Sequence, residues 1–201
     1  MDLNLAEAAK VVKESLCDIP GHLKIHFCKE IEYLSSKCEE LIDLTLQADD
    51  PPENTKQEDS PVMVFFEGLD GAGKTSGCME LLNLFERTGL TCQIVKTPPA
   101  SVINLRAVWF DVCPENVKRS FFWVTNFISL QEIVKMRTLD VVIVDRHWPS
   151  TVAYNVAHTA SSTPGSELPS LEAQCYVWNR FFSKPKSAFL VLLEVDEYNR
   201  K

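Results

Sequence analysis

The chain has no long hydrophobic run, no paired-cysteine motif and no surplus of positive charge. No apolar stretch in its 201 residues approaches the ~20 needed to cross a bilayer, so no membrane partner is expected. The seven cysteines are scattered and odd in number, with no C-x-x-C pair, which favours free thiols in a reducing compartment over a disulfide framework. His22, His26 and Cys28 lack a second paired cluster and read as side chains of a helix rather than as metal ligands. The net charge of -8 sits in one place: residues 1–60 hold 14 acidic and 6 basic side chains, and residues 61–201 hold 14 of each. A polyanion would be repelled by the acidic part, so no nucleic-acid partner is expected there. The first seven residues carry an early acid and no arginine. They do not read as a secretory signal or a transit peptide, and point to the cytoplasm.

What is present is a hydrophobic fraction of 45%, enough for a core, in a length that suits one domain plus an extension. Residues 1–47 read as a helical extension, with helices over 3–17 and 22–47 separated by Pro20-Gly21. These helices either bind a partner protein or pack on the rest of the chain. Residues 48–61 read as an acidic, proline-containing linker. From residue 62 to 201 the pattern alternates. Strands are expected at 62–67, 92–96, 141–145 and 188–195, and helices at 73–88, 114–137, 148–160 and 168–182. The strands are continuous apolar runs, as in a parallel sheet covered on both faces, so the fold class is α/β of the P-loop NTP-hydrolase type.

Two motifs carry chemistry. Gly68-Leu69-Asp70-Gly71-Ala72-Gly73-Lys74-Thr75 is G-x-x-x-x-G-K-T, between an apolar strand and an amphipathic helix. In that context Gly68 through Ser76 form an ATP site. Backbone N–H groups curl around the phosphates, Lys74 reaches the outer ones, and the Thr75 hydroxyl ligates Mg²⁺. A P-loop enzyme also needs an acid at the end of a neighbouring buried strand, and Val141-Val142-Ile143-Val144 ends on Asp145. Arg146 follows at once, bringing an anion-binding cation to the same crevice.

F-E-G-L-D-G-A-G-K-T, together with D-R-H-x-x-S-x-x-A-Y at 145–154, resembles the thymidylate kinase family of nucleoside monophosphate kinases. K-T-P-P at 96–99, R-S-F-F-W-x-x-N-F at 119–127 and D-R-H-W-P-S-T resemble more closely the thymidylate-kinase-like UMP-CMP kinases of mitochondria. That resemblance covers about residues 62–197 and implies a mitochondrial setting against the cytoplasmic reading of the N-terminus. It implies ATP and Mg²⁺ as cofactors and a pyrimidine nucleoside monophosphate as the second substrate. Lys74, Asp145 and Arg146 become catalytic, with Thr75 and Asp145 at the metal. Asp70 takes a sugar hydroxyl and Arg146 the acceptor phosphate. Tyr154, in the Ser150–Tyr154 pattern, lies by the sugar. Either Phe122 or Trp123 stacks on the base, while Phe121 is assigned to the core. Whether the protein is a homodimer is left open.

The sequence also departs from the family. Alanine at 100 stands where members carry an arginine, and Arg106 from the next helix is the substitute. Asn126 stands where an arginine usually faces the base, which makes cytosine or uracil as acceptable as thymine. Gly71 removes a loop arginine and shifts the chemistry to lid arginines, and the chain stops at Lys201 before a lid and the last helices. A weak or inactive nucleotide-binding module is therefore one alternative expectation. A deoxynucleoside kinase, which also joins a P-loop to an Asp-Arg pair, is the other.

Overall fold

A computed structural model describes residues 4–47, 61–162 and 187–196. Two units make up these residues. The first takes the N-terminal helices together with Pro98–Ile128, and the second takes residues 61–97 and the described chain from Ser129 onward.

In the second unit four strands form one parallel sheet. They are β1 (Val62–Gly68), β2 (Cys92–Lys96), β3 (Val141–Asp145) and β4 (Ala188–Leu193), in the order β2-β3-β1-β4. Residues alternate across its two faces, as strand geometry requires. Met63, Phe65, Val95, Val142 and Val144 line one face with Ile133, and Val64, Phe66, Val141 and Ile143 line the other with Cys78. Cys78 belongs to α4 (Lys74–Arg87) and Ile133 to α6 (Glu115–Lys135), so each face of the central strands is roofed by a helix. That is why β1 and β3 read as uninterrupted apolar runs. Burial also pushes the Cys78 thiol up to about 12, which makes it a packing residue and not a nucleophile.

β4 departs from the expectation of a strand buried on both faces. Among the described residues it lies at the sheet edge and stops at Leu193, and Phe189, Leu190 and Leu192 are exposed. An edge strand has a neighbour on one side only, so apolar composition alone does not bury it. The helix expected at 168–182 lies outside the described residues. Helix α7 (Trp148–Ser162) follows β3 directly.

In the first unit α1 (Leu5–Cys17) packs on α3 (Cys28–Gln47). Asn4 caps α1 by accepting the Glu7 N–H at 2.8 Å, which is why the helix starts at Leu5. Leu5, Ala8, Ala9, Val12 and Leu16 on α1, and Leu34, Cys38 and Leu41 on α3, are buried at helical spacing. The expected single helix over 22–47 is two, α2 (Gly21–His26) and α3, because Phe27 leaves helical geometry (φ -115°, ψ 26°). Its ring meets the edge of His26 at 4.6 Å, a local contact that no periodicity encodes.

α5 (Ile103–Val108) and a short 3₁₀ turn (Phe110–Val112) complete the unit around an aromatic cluster. Phe121 is fully buried there, with Trp109 at 5.5 Å and Phe110 at 5.6 Å. The edge-to-face geometry adds to burial. Phe121→Ala should cost about 3–5 kcal/mol in urea unfolding, as a cavity in an unyielding core does; a loss below about 1 kcal/mol would mean that the cluster collapses around the gap.

Candidate nucleotide-phosphate site

The glycine-rich loop leaves the carboxyl end of β1 and enters α4. Gly73 sits at the helix N-cap with φ 84°, a left-handed conformation that glycine adopts without a side-chain clash. Gly68 meets a different demand: a Cβ there would lie 2.4 Å from the Leu193 carbonyl oxygen of β4, so the loop can leave the sheet only on a residue with no side chain. Gly77 is held in a similar way, its added Cβ falling 2.9 Å from the Phe66 ring, which lets α4 lie close on β1. Leu69, Asp70, Gly71, Gly73, Thr75 and Ser76 are exposed, while Ala72 and Lys74 are buried. The Lys74 ammonium donates to the Leu69 carbonyl at 2.5 Å, across the mouth of the loop. Burial, then the nearby Arg146 charge, lower the Lys74 pKa from its ordinary value, against the pull of Asp70, Asp145 and Glu67.

β1 and β3 are neighbours with Phe66 in register with Asp145, so loop and strand end meet. The connections from these two strands leave toward opposite edges of the sheet, and such a switch point opens a crevice at the carboxyl ends. The Thr75 hydroxyl donates to Asp145 Oδ2 at 2.7 Å, joining the first turn of α4 to β3. Lys96, in register with Asp145 at the end of β2, brings its ammonium to 3.9 Å of the same oxygen.

Arg146 is the only non-glycine with positive φ (65°) among the described residues. Left-handed backbone costs a side-chain-bearing residue roughly 1–2 kcal/mol. Two bonds hold it: the Arg146 N–H donates to the Phe66 carbonyl at 3.0 Å, and the next N–H, of His147, donates to Glu67 Oε1 at 2.9 Å. The turn aims the guanidinium back over the loop, where Nη2 pairs with Asp70 Oδ1 at 2.5 Å and Nη1 donates to Ser150 Oγ at 3.1 Å. Ser150 in turn donates to Glu67 Oε2. The His147 ring is buried and lies edge-on to Phe65 at 5.8 Å.

Of the residues singled out from sequence, the structure brings together Asp70, Lys74, Thr75, Asp145, Arg146 and Ser150. Tyr154 lies one helical turn beyond Ser150 on α7 and is half exposed. Arg106, Phe122, Trp123 and Asn126 belong to the other unit. There Arg106 lies 5.7 Å from the centroids of both the Phe110 and Phe122 rings, Phe122 is half-buried, and Trp123 and Asn126 are buried.

The thymidylate kinase family model matches residues 66–198, about two thirds of the chain. The chain belongs to the thymidylate kinase family. Among solved structures it is similar to the thymidylate kinase from Ehrlichia chaffeensis, at 18% sequence identity and a TM-score of 0.44, over 70% of this chain and 91% of that one. A comparison with curated proteins gives no match. Family membership places the chain among nucleoside monophosphate kinases, for which ATP is the phosphate donor, and its parallel sheet flanked by helices has the P-loop kinase architecture of thymidylate kinases.

Glu67 and Lys96 were not singled out from sequence. The signal for Glu67 was a carboxyl inside Val-Met-Val-Phe-Phe-Glu-Gly, since a charge on a buried strand needs partners. Burial raises its pKa from the ordinary carboxylate value of 4.5, against the opposing bonds from Ser150 and His147 and the Arg146 charge. A carboxyl raised in this way takes up protons on folding. Its stabilising protonation is complete below 4.5 and is lost as pH rises through the folded value. Glu67→Gln, which cannot ionise, should therefore gain stability relative to the native protein as pH rises from 4.5 to neutrality. Urea midpoints across that range check this, and parallel curves would contradict it.

Proposed function

We propose that the chain transfers the γ-phosphoryl group of ATP to a pyrimidine nucleoside monophosphate in a magnesium-dependent reaction. Uracil and cytosine monophosphates, the substrates of the UMP-CMP kinase type, stand beside dTMP as candidates. The observation that carries the reading is the pairing at one crevice: the P-loop threonine bonded to the strand-end Asp145, with Arg146 beside it turned onto Asp70.

The donor set fits the expected groups. Magnesium is ordinarily held by one or two protein oxygens together with phosphate oxygens, and Thr75 Oγ1 and Asp145 Oδ2 are such a pair. When bound, the ion neutralises charge on the donor phosphates. Transfer between two polyanions asks the protein for cations, alignment and exclusion of water, not for covalent chemistry. Lys74 supplies a cation at the loop, and the N–H groups at the start of α4 supply a further positive field. Arg146 holds the acceptor phosphate from the other side. An oxygen of that phosphate forms the new bond to the γ-phosphorus as the bond to the β–γ bridging oxygen breaks, and ADP leaves. The nucleophile is already an ionised phosphate, so no general base is required. Asp70, freed from Arg146 by the phosphate, accepts a sugar hydroxyl, and Tyr154 lies by the sugar.

Coupled assays with dTMP, dUMP, dCMP, UMP and CMP test the reading. Turnover with at least one is expected. Turnover with thymidine alone would make the protein a nucleoside kinase, and none with any substrate would leave a nucleotide-binding module.

A further inference from the structure

We propose that Glu67 is a positioning residue for the Arg146 guanidinium, acting through Ser150. This rests on the monophosphate-kinase reading for its consequence, though not for its geometry. Glu67 is 4% exposed at the end of β1 and holds the Arg146 turn at two points, His147 in the turn itself and Ser150 on α7. Oε1 accepts the His147 N–H at 2.9 Å and so fixes the backbone immediately after the left-handed residue. Oε2 accepts the Ser150 hydroxyl. With its hydrogen committed to Glu67, Ser150 Oγ can offer only lone pairs to Arg146 Nη1, 3.1 Å away. The direction of this chain matters: N–H of Arg146 to O–H of Ser150 to the carboxylate. The guanidinium is then held on one side by half-buried Ser150, itself tied to buried Glu67, and on the other by Asp70, whose side chain is 90% exposed. An incoming phosphate can displace the exposed partner while Ser150, anchored by Glu67, keeps the fork aimed.

Glutamine at 67 has nearly the same shape but the opposite polarity at one atom. Its amide N–H would donate to Ser150 and turn the hydroxyl hydrogen toward Arg146, donor against donor. Aspartate keeps the charge but is one methylene shorter and cannot span both His147 and Ser150. Glu67→Gln and Glu67→Asp in the full chain should each weaken monophosphate binding about tenfold, the usual loss for a misdirected charge-assisted hydrogen bond, and move ATP affinity less than about twofold. Calorimetric titrations with ATP and with the five monophosphates measure the split. In addition, NMR of the Arg146 side-chain nitrogens should show hindered rotation in the native chain and faster rotation in both variants. That readout needs no ligand. If the native chain binds no monophosphate but the Arg146 signals respond, the kinase reading fails and the positioning role stands. If either variant does not fold, Ser150→Ala cuts the same chain with Glu67 intact and should give the same split. Unchanged Arg146 signals, equal losses for ATP and monophosphate, or native affinity in Glu67→Asp would each overturn the proposal.

Discussion

Lys74→Met should lower kcat/KM for phosphoryl transfer by about a thousandfold or more, the usual effect of removing a fixed cation at the transferring group. The folded protein is not destabilised. Burial lowers the Lys74 pKa, so the fold disfavours the ammonium, and its removal relieves a cost rather than adding one. Methionine keeps the apolar length of the stem in a buried position. Among the described residues the bond lost is the one to the Leu69 carbonyl. A thermal midpoint equal to or above the native one, with activity gone, is the expected pair of results. Coupled assay and calorimetry on the same sample check it. Retained activity would remove Lys74 from the phosphate site, and loss of both would make it structural.

Arg146→Ala should raise the monophosphate KM by about a hundredfold, equivalent to ~2.7 kcal/mol, with ATP affinity nearly unchanged. The Arg146–Asp70 pair adds little to folding, because Asp70 is 90% exposed and surface pairs contribute under ~1 kcal/mol. Alanine keeps a Cβ at φ 65°, so the turn is no easier and no harder to form. The loss should therefore appear in substrate use and not in stability. Arg146→Lys should fall between the two, because a point charge cannot hold Ser150 and a phosphate as a planar fork does. Steady-state kinetics with each substrate varied separately measures this. An unchanged monophosphate KM in Arg146→Ala would remove its assigned role.

The parts of the site legible in the sequence were those whose chemistry is local. Gly68 to Thr75 has its meaning in eight consecutive residues, and Asp145-Arg146 announces itself by ending an apolar strand. Both depend only on spacing, and the β1–β3 pairing that joins them follows from two such strands in one parallel sheet. Glu67 was not legible as a positioning residue, because its partners lie 80 and 83 positions away and the meaning of its carboxyl depends on which way one serine hydroxyl points. Gly77 carries no local signal, because its constraint is the Phe66 ring of another element. The break at Phe27 and the exposure of β4 have the same origin. Periodicity reports which residues prefer burial; it does not report which strand lies at an edge or where two rings meet.

The central claim is that one crevice, at the carboxyl ends of β1 and β3, joins a donor and an acceptor phosphate. The most direct measurement follows the label from [γ-³²P]ATP with magnesium and each pyrimidine monophosphate in turn. The expected result is label in the β-phosphate of a pyrimidine nucleoside diphosphate, absent with Lys74→Met and sharply reduced with Arg146→Ala. Label released only as inorganic phosphate, or retained entirely in ATP with every acceptor, would contradict it.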